Sequence, residues 1–189
     1  SILYRISPQK KPRIQDVPRS ISVIISNVLF WETVQIIIDP VKLSDMTRAD
    51  EADVLFQQGF SCSQAVLAVF AEDFGLDREL AFRISQGFGA GIAYTDDICG
   101  AVSGAIMVIG LRYGRIKADD IAAKEKTYAV VSEFIQEFKK RNNSVTCTGL
   151  LGYNLSDTEQ VSEVKERKFV MARCPAFVRD AVVIVEKLF

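Results

Sequence analysis

The sequence contains no histidine among its 189 residues. Histidine is the commonest general base and the commonest metal ligand, so its absence excludes Ser-His and Cys-His catalytic pairs and histidine-based metal sites. Any chemistry must therefore use cysteine, carboxylate, lysine or tyrosine side chains, or a bound cofactor.

The chain also lacks an excess of charge of either sign, because 23 basic residues balance 24 acidic ones. This balance gives no electrostatic reason to expect nucleic acid or an anionic membrane as a partner. The longest hydrophobic run, residues 21–38, is interrupted by Asn27, Glu32 and Gln35, so we expect no stable membrane insertion. No segment has the pattern of a secretory signal peptide, and we expect a cytoplasmic location with reduced thiols.

Residues 1–45 differ from the rest of the chain. They combine a stretch rich in proline and basic residues with the interrupted hydrophobic run, and Met46 then opens a helical pattern. We expect residues 1–45 to be an N-terminal extension, non-native or loosely ordered, with Met46 as the natural start. The alternative is a strand or helix that packs on the domain or on a second subunit. We interpret residues 46–189 as a four-cysteine, all-helical domain.

The hydrophobic periodicity after residue 50 predicts an all-α fold, a compact bundle of about six helices. Residues 99–110 are apolar on all sides and are expected to form a central helix surrounded by the others. We expect Asp96 and Asp97 to cap this central helix.

The signals for the other helices are caps and apolar stripes. Ser61 with Gln64 predicts a capping box, and Asp77 predicts the start of a helix. The latter helix should turn Leu80, Ala81 and Ile84 inward, and a longer one over 118–141 should turn Tyr128, Val131, Phe134, Ile135 and Phe138 inward. A polar helix is expected from Ser156, and a last helix from Cys174, with Pro175 at its first position.

The four cysteines are far apart in sequence and form no CxxC pair, which excludes a local thioredoxin-type motif or zinc ribbon. Each lies at or just inside a predicted helix N-terminus, where unpaired N–H groups and a partial positive charge favour a thiolate. This shared placement makes all four candidate catalytic thiols and candidate metal ligands: Cys62, Cys99, Cys147 and Cys174. The alternative is that they are small buried hydrophobic residues.

Small residues lie close to the second cysteine. Gly100, Ala101 and Gly104 follow Cys99, and the two glycines share a helix face, which would let another backbone or a cluster approach closely. Gly89 is the centre of a G-x-G-x-G run. We interpret this run as a flexible turn that brings Cys99 toward the core, because no strand precedes it as a phosphate cradle would require. Gly89, Gly100, Ala101 and Gly104 are our candidate cofactor-binding residues.

Several of these segments resemble a known family. The stretches "GFSCSQAVLAVF", "GFGAGI", "CGAVSGAIMVIGL", "SVTCTGLLG" and "RCPAFVRDAVVIVEKL" are similar to the C_GCAxxG_C_C family, described as redox-active. That family has four cysteines in this order and a CGAxxG motif around the second. The resemblance runs from about residue 47 to the end and implies that the four cysteines are the functional set, without implying a settled reaction.

Three hypotheses for function remain open at this point. In the first, four thiolates hold an iron–sulfur cluster, as in an electron-transfer protein, or a zinc ion. In the second, cysteine pairs cycle between dithiol and disulfide with an unidentified redox partner. Either would make the protein a thiol- or metal-dependent oxidoreductase if it is an enzyme. In the third, the protein is a non-catalytic helical binding or oligomerisation module, such as a homodimer, with structural core cysteines.

Overall fold

The computed structural model describes residues 46–157, 159–160 and 168–189, and the described residues form the predicted all-α fold. The helices are α1 (Arg48–Gln57), α2 (Cys62–Ala71), α3 (Arg78–Ser85), α4 (Gly100–Tyr113), α5 (Ile121–Asn142), α6 (Cys147–Leu151) and α7 (Lys168–Leu188). The predicted extension over residues 1–45 lies outside the described residues, as does most of the polar helix predicted from Ser156. None of the helices described is long and apolar enough to cross a bilayer.

Two predicted caps, at Ser61 and Asp77, are present in the structure. Ser61 donates its backbone N–H to the Gln64 side chain at 2.9 Å, and its hydroxyl accepts the Gln64 N–H, which completes the capping box of α2. Asp77 caps α3 by accepting a backbone N–H with its carboxylate, and Asp120, which was not among the predicted caps, caps α5 in the same way. The cap of α2 therefore fixes where Cys62 begins its helix.

The centre of the molecule is the close pair α2 and α4. Every residue of α2 is buried, and α4 is buried over most of its length, as predicted for the central helix. A Cβ atom at Gly104 would lie 2.8 Å from the Ser63 carbonyl oxygen and 3.0 Å from the Val66 Cβ. The two helix backbones can approach this closely only because residue 104 has no side chain.

The surrounding helices correct two of the predicted apolar stripes. Leu80 and Ile84 are 47% and 48% exposed, whereas Ala81 is fully buried. The reason is that α3 is short and packs through its small residues Ala81 and Ser85, which are spaced i, i+4. Tyr128 is 62% exposed, because only the later part of the α5 stripe, centred on its phenylalanines, reaches the core.

The last helix does not begin at Cys174 as predicted. Helix α7 begins at Lys168 and continues through Pro175, which therefore lies inside the helix. Proline in a helix interior typically costs about 3 kcal/mol. Phe169, Val170 and Met171 are half-buried and pack against the core, and this apolar contact helps to offset that cost.

Candidate functional site

All four cysteines line one cavity of about 750 Å³. Cys62, Cys99 and Cys147 are buried, and Cys174 is half-buried. The cavity lies where α2, α4 and α6 begin and where the middle of α7 passes them. Its volume is within the range of small-molecule sites in proteins, so the structure gathers the four sulfurs around a space that a ligand could enter.

Cys62 and Cys99 interact directly through their side chains. Cys62 is the first residue of α2, and its sulfur accepts the backbone N–H groups of Ser63 and Ala90. Its pKa lies well above the usual value for a thiol, first because it is hydrogen-bonded to Cys99 and then because it is buried. The Cys62 thiol therefore keeps its proton at neutral pH.

Cys99 and Cys147 are brought together by an isolated antiparallel β-bridge between Ile98 and Thr146. The Cys99 N–H donates to the Val145 carbonyl at 2.7 Å, and the Cys147 N–H donates to the Asp97 carbonyl at 3.1 Å. Because the bridge pairs 98 with 146, the side chains at 99 and 147 project to the same face as diagonal neighbours. Thus a single bridge aligns two cysteines that are far apart in sequence.

Cys99 interacts with both of the other buried cysteines. The pKa of Cys99 is raised to about 12, first by its hydrogen bond to Cys147, while the bond from Cys62 lowers it and burial raises it further. The net shift keeps the Cys99 thiol protonated at neutral pH.

Cys174 joins the cavity from the middle of α7 and not from a helix N-terminus, so the predicted placement is wrong for this cysteine. The placement is confirmed for the other three, since Cys62 and Cys147 begin helices and Cys99 is the N-cap of α4. Burial, and then repulsion from Cys62, raise the pKa of Cys174 to about 12.

The predicted preference for thiolates is wrong for Cys62, Cys99 and Cys174, whose pKa values are all raised. A helix N-terminus stabilises a charge by about 0.3–2 kcal/mol. Burial alone can shift a pKa by several units, and each unit is worth about 1.4 kcal/mol. Desolvation and the bonds between thiols therefore outweigh the helix termini, and these three thiols are neutral at rest.

The described residues contain no group of three or more Cys, Asp or Glu side chains placed so that they could hold a metal ion. Tetrahedral zinc needs four ligands, with sulfurs about 2.3 Å from the metal. In this arrangement the four cysteines line the cavity without fitting a zinc or iron–sulfur centre. The metal centre stays a prediction, which metal analysis of anaerobically purified protein would test.

The four candidate cofactor-binding residues serve close packing around the cysteines in this structure. A Cβ at Gly100 would collide with the Cys62 sulfur and lie 2.8 Å from the Phe88 carbonyl oxygen, and one at Gly89 would lie 2.6 Å from the Ser61 Cβ. Ala101 is fully buried, and Gly104 meets α2. Of these four only Gly89 lines the cavity, and the cofactor role stays a prediction.

The segment after Gly89 forms a left-handed turn that the sequence did not reveal. Ala90 through Tyr94 all have positive φ, including Ile92 at +56°. Left-handed backbone costs about 1–2 kcal/mol per residue with a side chain. The turn brings the Ala90 N–H to the Cys62 sulfur, and a Cβ at Gly91 would lie 3.1 Å from the Cys147 sulfur. The G-x-G-x-G run was the sequence signal for this turn. Of its three glycines, Gly91 is the one with positive φ.

Asp96 and Asp97 do not cap the central helix, contrary to prediction, because no side chain caps α4. The Asp96 carboxylate instead accepts the Thr148 hydroxyl and, at 3.4 Å, the Leu155 N–H. The Asp97 carboxylate accepts the N–H of Ile98 at 2.7 Å. These bonds fasten the loop that leads to Cys99 onto α6 and the chain after it, and so support the bridge.

Comparison with known proteins gives one result. A search of curated proteins and a search of solved structures returned no match. A family model matches residues 60–188, which include all four cysteines and the whole of α4. The chain belongs to the family described as "Putative redox-active protein (C_GCAxxG_C_C)".

Proposed function

We propose that this protein is a thiol–disulfide redox protein whose primary pair is Cys99 and Cys147. The observation that carries the proposal is that the Ile98–Thr146 bridge aligns Cys99 and Cys147 on one face, at the wall of a cavity that all four cysteines line. Membership of a family described as redox-active supports it. Disulfide formation requires that the two cysteines be neighbours whose sulfurs can come within bonding distance, and the bridge makes Cys99 and Cys147 diagonal neighbours.

In the proposed reaction Cys147, the first residue of α6 at the cavity wall, acts first. Its sulfur attacks a substrate disulfide, which forms a mixed disulfide and releases the first substrate thiol. Cys99 then attacks the Cys147 sulfur, which releases the second substrate thiol and leaves a Cys99–Cys147 disulfide. The two cysteine protons leave on the two product thiols, so the net change is one substrate disulfide reduced and one protein dithiol oxidised.

Cys62 and Cys174 have supporting roles in this scheme. Cys62 donates its hydrogen bond to Cys99 and so lowers the pKa of that thiol, which helps Cys99 to act as the resolving nucleophile. Cys174 is the most exposed of the four. It lies at the cavity wall, away from the bridge that aligns Cys99 and Cys147.

Disulfide mapping tests the proposal directly. Reduced protein is treated with the thiol oxidant diamide, the remaining thiols are alkylated, and the cross-linked peptides are identified by mass spectrometry. We expect a Cys99–Cys147 disulfide that dithiothreitol reverses. Cys99→Ser and Cys147→Ser should lose it with unchanged helix content by circular dichroism, whereas Cys174→Ser, the matched control, should keep it. Wild-type protein whose Cys99 and Cys147 both stay free would overturn the proposal.

A further inference from the structure

We infer that the disulfide substrate of this cavity is an uncharged, largely apolar small molecule. This inference rests on the proposed function, because it names the substrate class of the same site. It follows from the composition of the cavity wall, which the chemistry of the cysteines alone does not determine.

No described residue that lines the cavity carries a charged side chain. This is unusual for a chain in which a quarter of the residues are charged. Aromatic and aliphatic side chains supply most of the wall, among them Phe56, Phe60, Leu150, Leu151, Val170 and Phe177. The wall therefore resembles an apolar binding site with a few polar groups, and its described residues include no ion to pair with a charged ligand.

Uncharged amides stand at the edge of this wall. Gln57 and Gln86 both line the cavity and are exposed, so the cavity opens to solvent beside them. The side-chain amide oxygen of Gln86 accepts a hydrogen bond from the Gln64 side-chain amide at 2.8 Å. The same Gln64 amide also donates to the Phe82 backbone carbonyl at 2.9 Å. Gln86 is thus held in place by α2, and the entrance presents hydrogen-bonding groups without charge.

An ion in this cavity would lose hydration without gaining a charged partner among the described wall residues. Burial of an unpaired carboxylate or ammonium is far more costly than burial of an apolar group. The raised pKa of Cys174 shows the same penalty acting on a thiolate. The described wall therefore favours neutral disulfides over glutathione-like substrates, which carry carboxylates and an ammonium group.

The test compares disulfides that differ in charge. Reduced protein is mixed under anaerobic conditions with diethyl disulfide, with cystamine, which is cationic, or with 3,3′-dithiodipropionate, which is anionic. Each rate of protein thiol loss is divided by the rate at which the same reagent reacts with the model thiol N-acetylcysteinamide. This division removes differences in intrinsic reactivity between the reagents. We expect the neutral reagent to be favoured at least tenfold over both charged ones. Equal normalised rates, or a preference for either ion, would overturn the inference.

An isosteric charge at the entrance gives a second, independent readout. Gln86→Glu keeps the oxygen that accepts from Gln64 but adds a negative charge to the wall. The ratio of anionic to cationic rates should fall at least about fivefold, as expected for charges within roughly 10 Å in a partly buried site. Gln136→Glu makes the same change at an exposed position of α5 that does not line the cavity, and should leave the ratio of anionic to cationic rates unchanged. If this ratio is equal in both variants, the reagents do not pass Gln86, and the inference is overturned.

The outcomes separate this inference from the proposed function. If the neutral disulfide is favoured but yields only mixed disulfides, the substrate class stands and the Cys99–Cys147 reaction fails. If all three reagents form the Cys99–Cys147 disulfide at equal normalised rates, the reaction stands and the substrate class fails. If the rate of thiol loss with diethyl disulfide, per protein chain, falls as protein concentration rises, a second copy of the chain occupies the cavity. That result would overturn the inference.

Discussion

The close approach of α4 to Cys62 predicts that Gly100→Ala destabilises the protein. A Cβ at this position would collide with the Cys62 sulfur, lie 2.8 Å from the Phe88 carbonyl oxygen and lie 3.1 Å from the Gly89 Cα. Two of these three atoms belong to backbone and cannot rotate away. The third is held by its bonds to Cys99 and to backbone N–H groups.

The magnitude follows from two opposing effects. Replacing glycine by alanine in a helix interior gains at most about 1 kcal/mol from helix propensity, and less at the first helical position. Overpacking of a core by one methyl group costs about 1–3 kcal/mol, and contacts with backbone favour the upper half of that range. We therefore expect Gly100→Ala to lower the free energy of unfolding by about 1–2 kcal/mol.

Gly110→Ala is the matched control, because it lies in the same helix and its Cβ would meet nothing within 4 Å. It should raise the free energy of unfolding by up to about 1 kcal/mol. Urea unfolding under reducing conditions, followed by circular dichroism, measures both variants. If Gly100→Ala is as stable as Gly110→Ala, the glycine at position 100 is not required by Cys62 and the packing argument is refuted.

Three further predictions concern the thiols and the turn beside them. The pKa of Cys174 is about 12 when folded and near 9 when unfolded, so its contribution to stability is complete below about pH 9 and is lost as the pH rises toward 12. Between pH 8.5 and 10.5, the free energy of unfolding measured in urea should fall more steeply for wild type than for Cys174→Ser. Equal slopes against pH for the two proteins would contradict this. Ala93 has φ +52° and is exposed, so Ala93→Gly should raise the free energy of unfolding by about 1 kcal/mol. If the same urea assay shows a lower free energy of unfolding, the turn is not left-handed. Gly91→Ala places a Cβ 3.1 Å from the Cys147 sulfur and should reduce the yield of the Cys99–Cys147 disulfide in diamide mapping, whereas an unchanged yield would mean that the turn does not position Cys147.

Local signals predicted the helices whose starts depend on a single cap. Ser61 with Gln64 and Asp77 specify helix starts through bonds within four residues, and the structure contains both. The apolar character of residues 99–110 sufficed for the central helix. Where the outcome depended on packing between helices, the same signals failed. Helix α7 runs through Pro175 because residues before it pack on the core, which no local pattern expresses.

The candidate site shows the same division. The shared position at helix starts identified three of the four cysteine placements, but the protonation of the thiols depends on burial and on contacts between them, which appear only after folding. The left-handed turn after Gly89 was hidden for a related reason. Ala90, Ile92 and Ala93 have no intrinsic preference for positive φ, so the surrounding contacts must impose it.

The absence of histidine and the uncharged cavity wall are consistent with one reaction type. With no imidazole in the chain and no charged side chain among the described wall residues, those residues would not stabilise a net charge left behind by a reaction. Exchange of two neutral thiols with a neutral disulfide yields a neutral disulfide and two neutral thiols, and both protons depart with the products. The buried, protonated state of Cys62, Cys99 and Cys174 therefore slows attack at rest but matches a cavity in which reactants and products are equally uncharged.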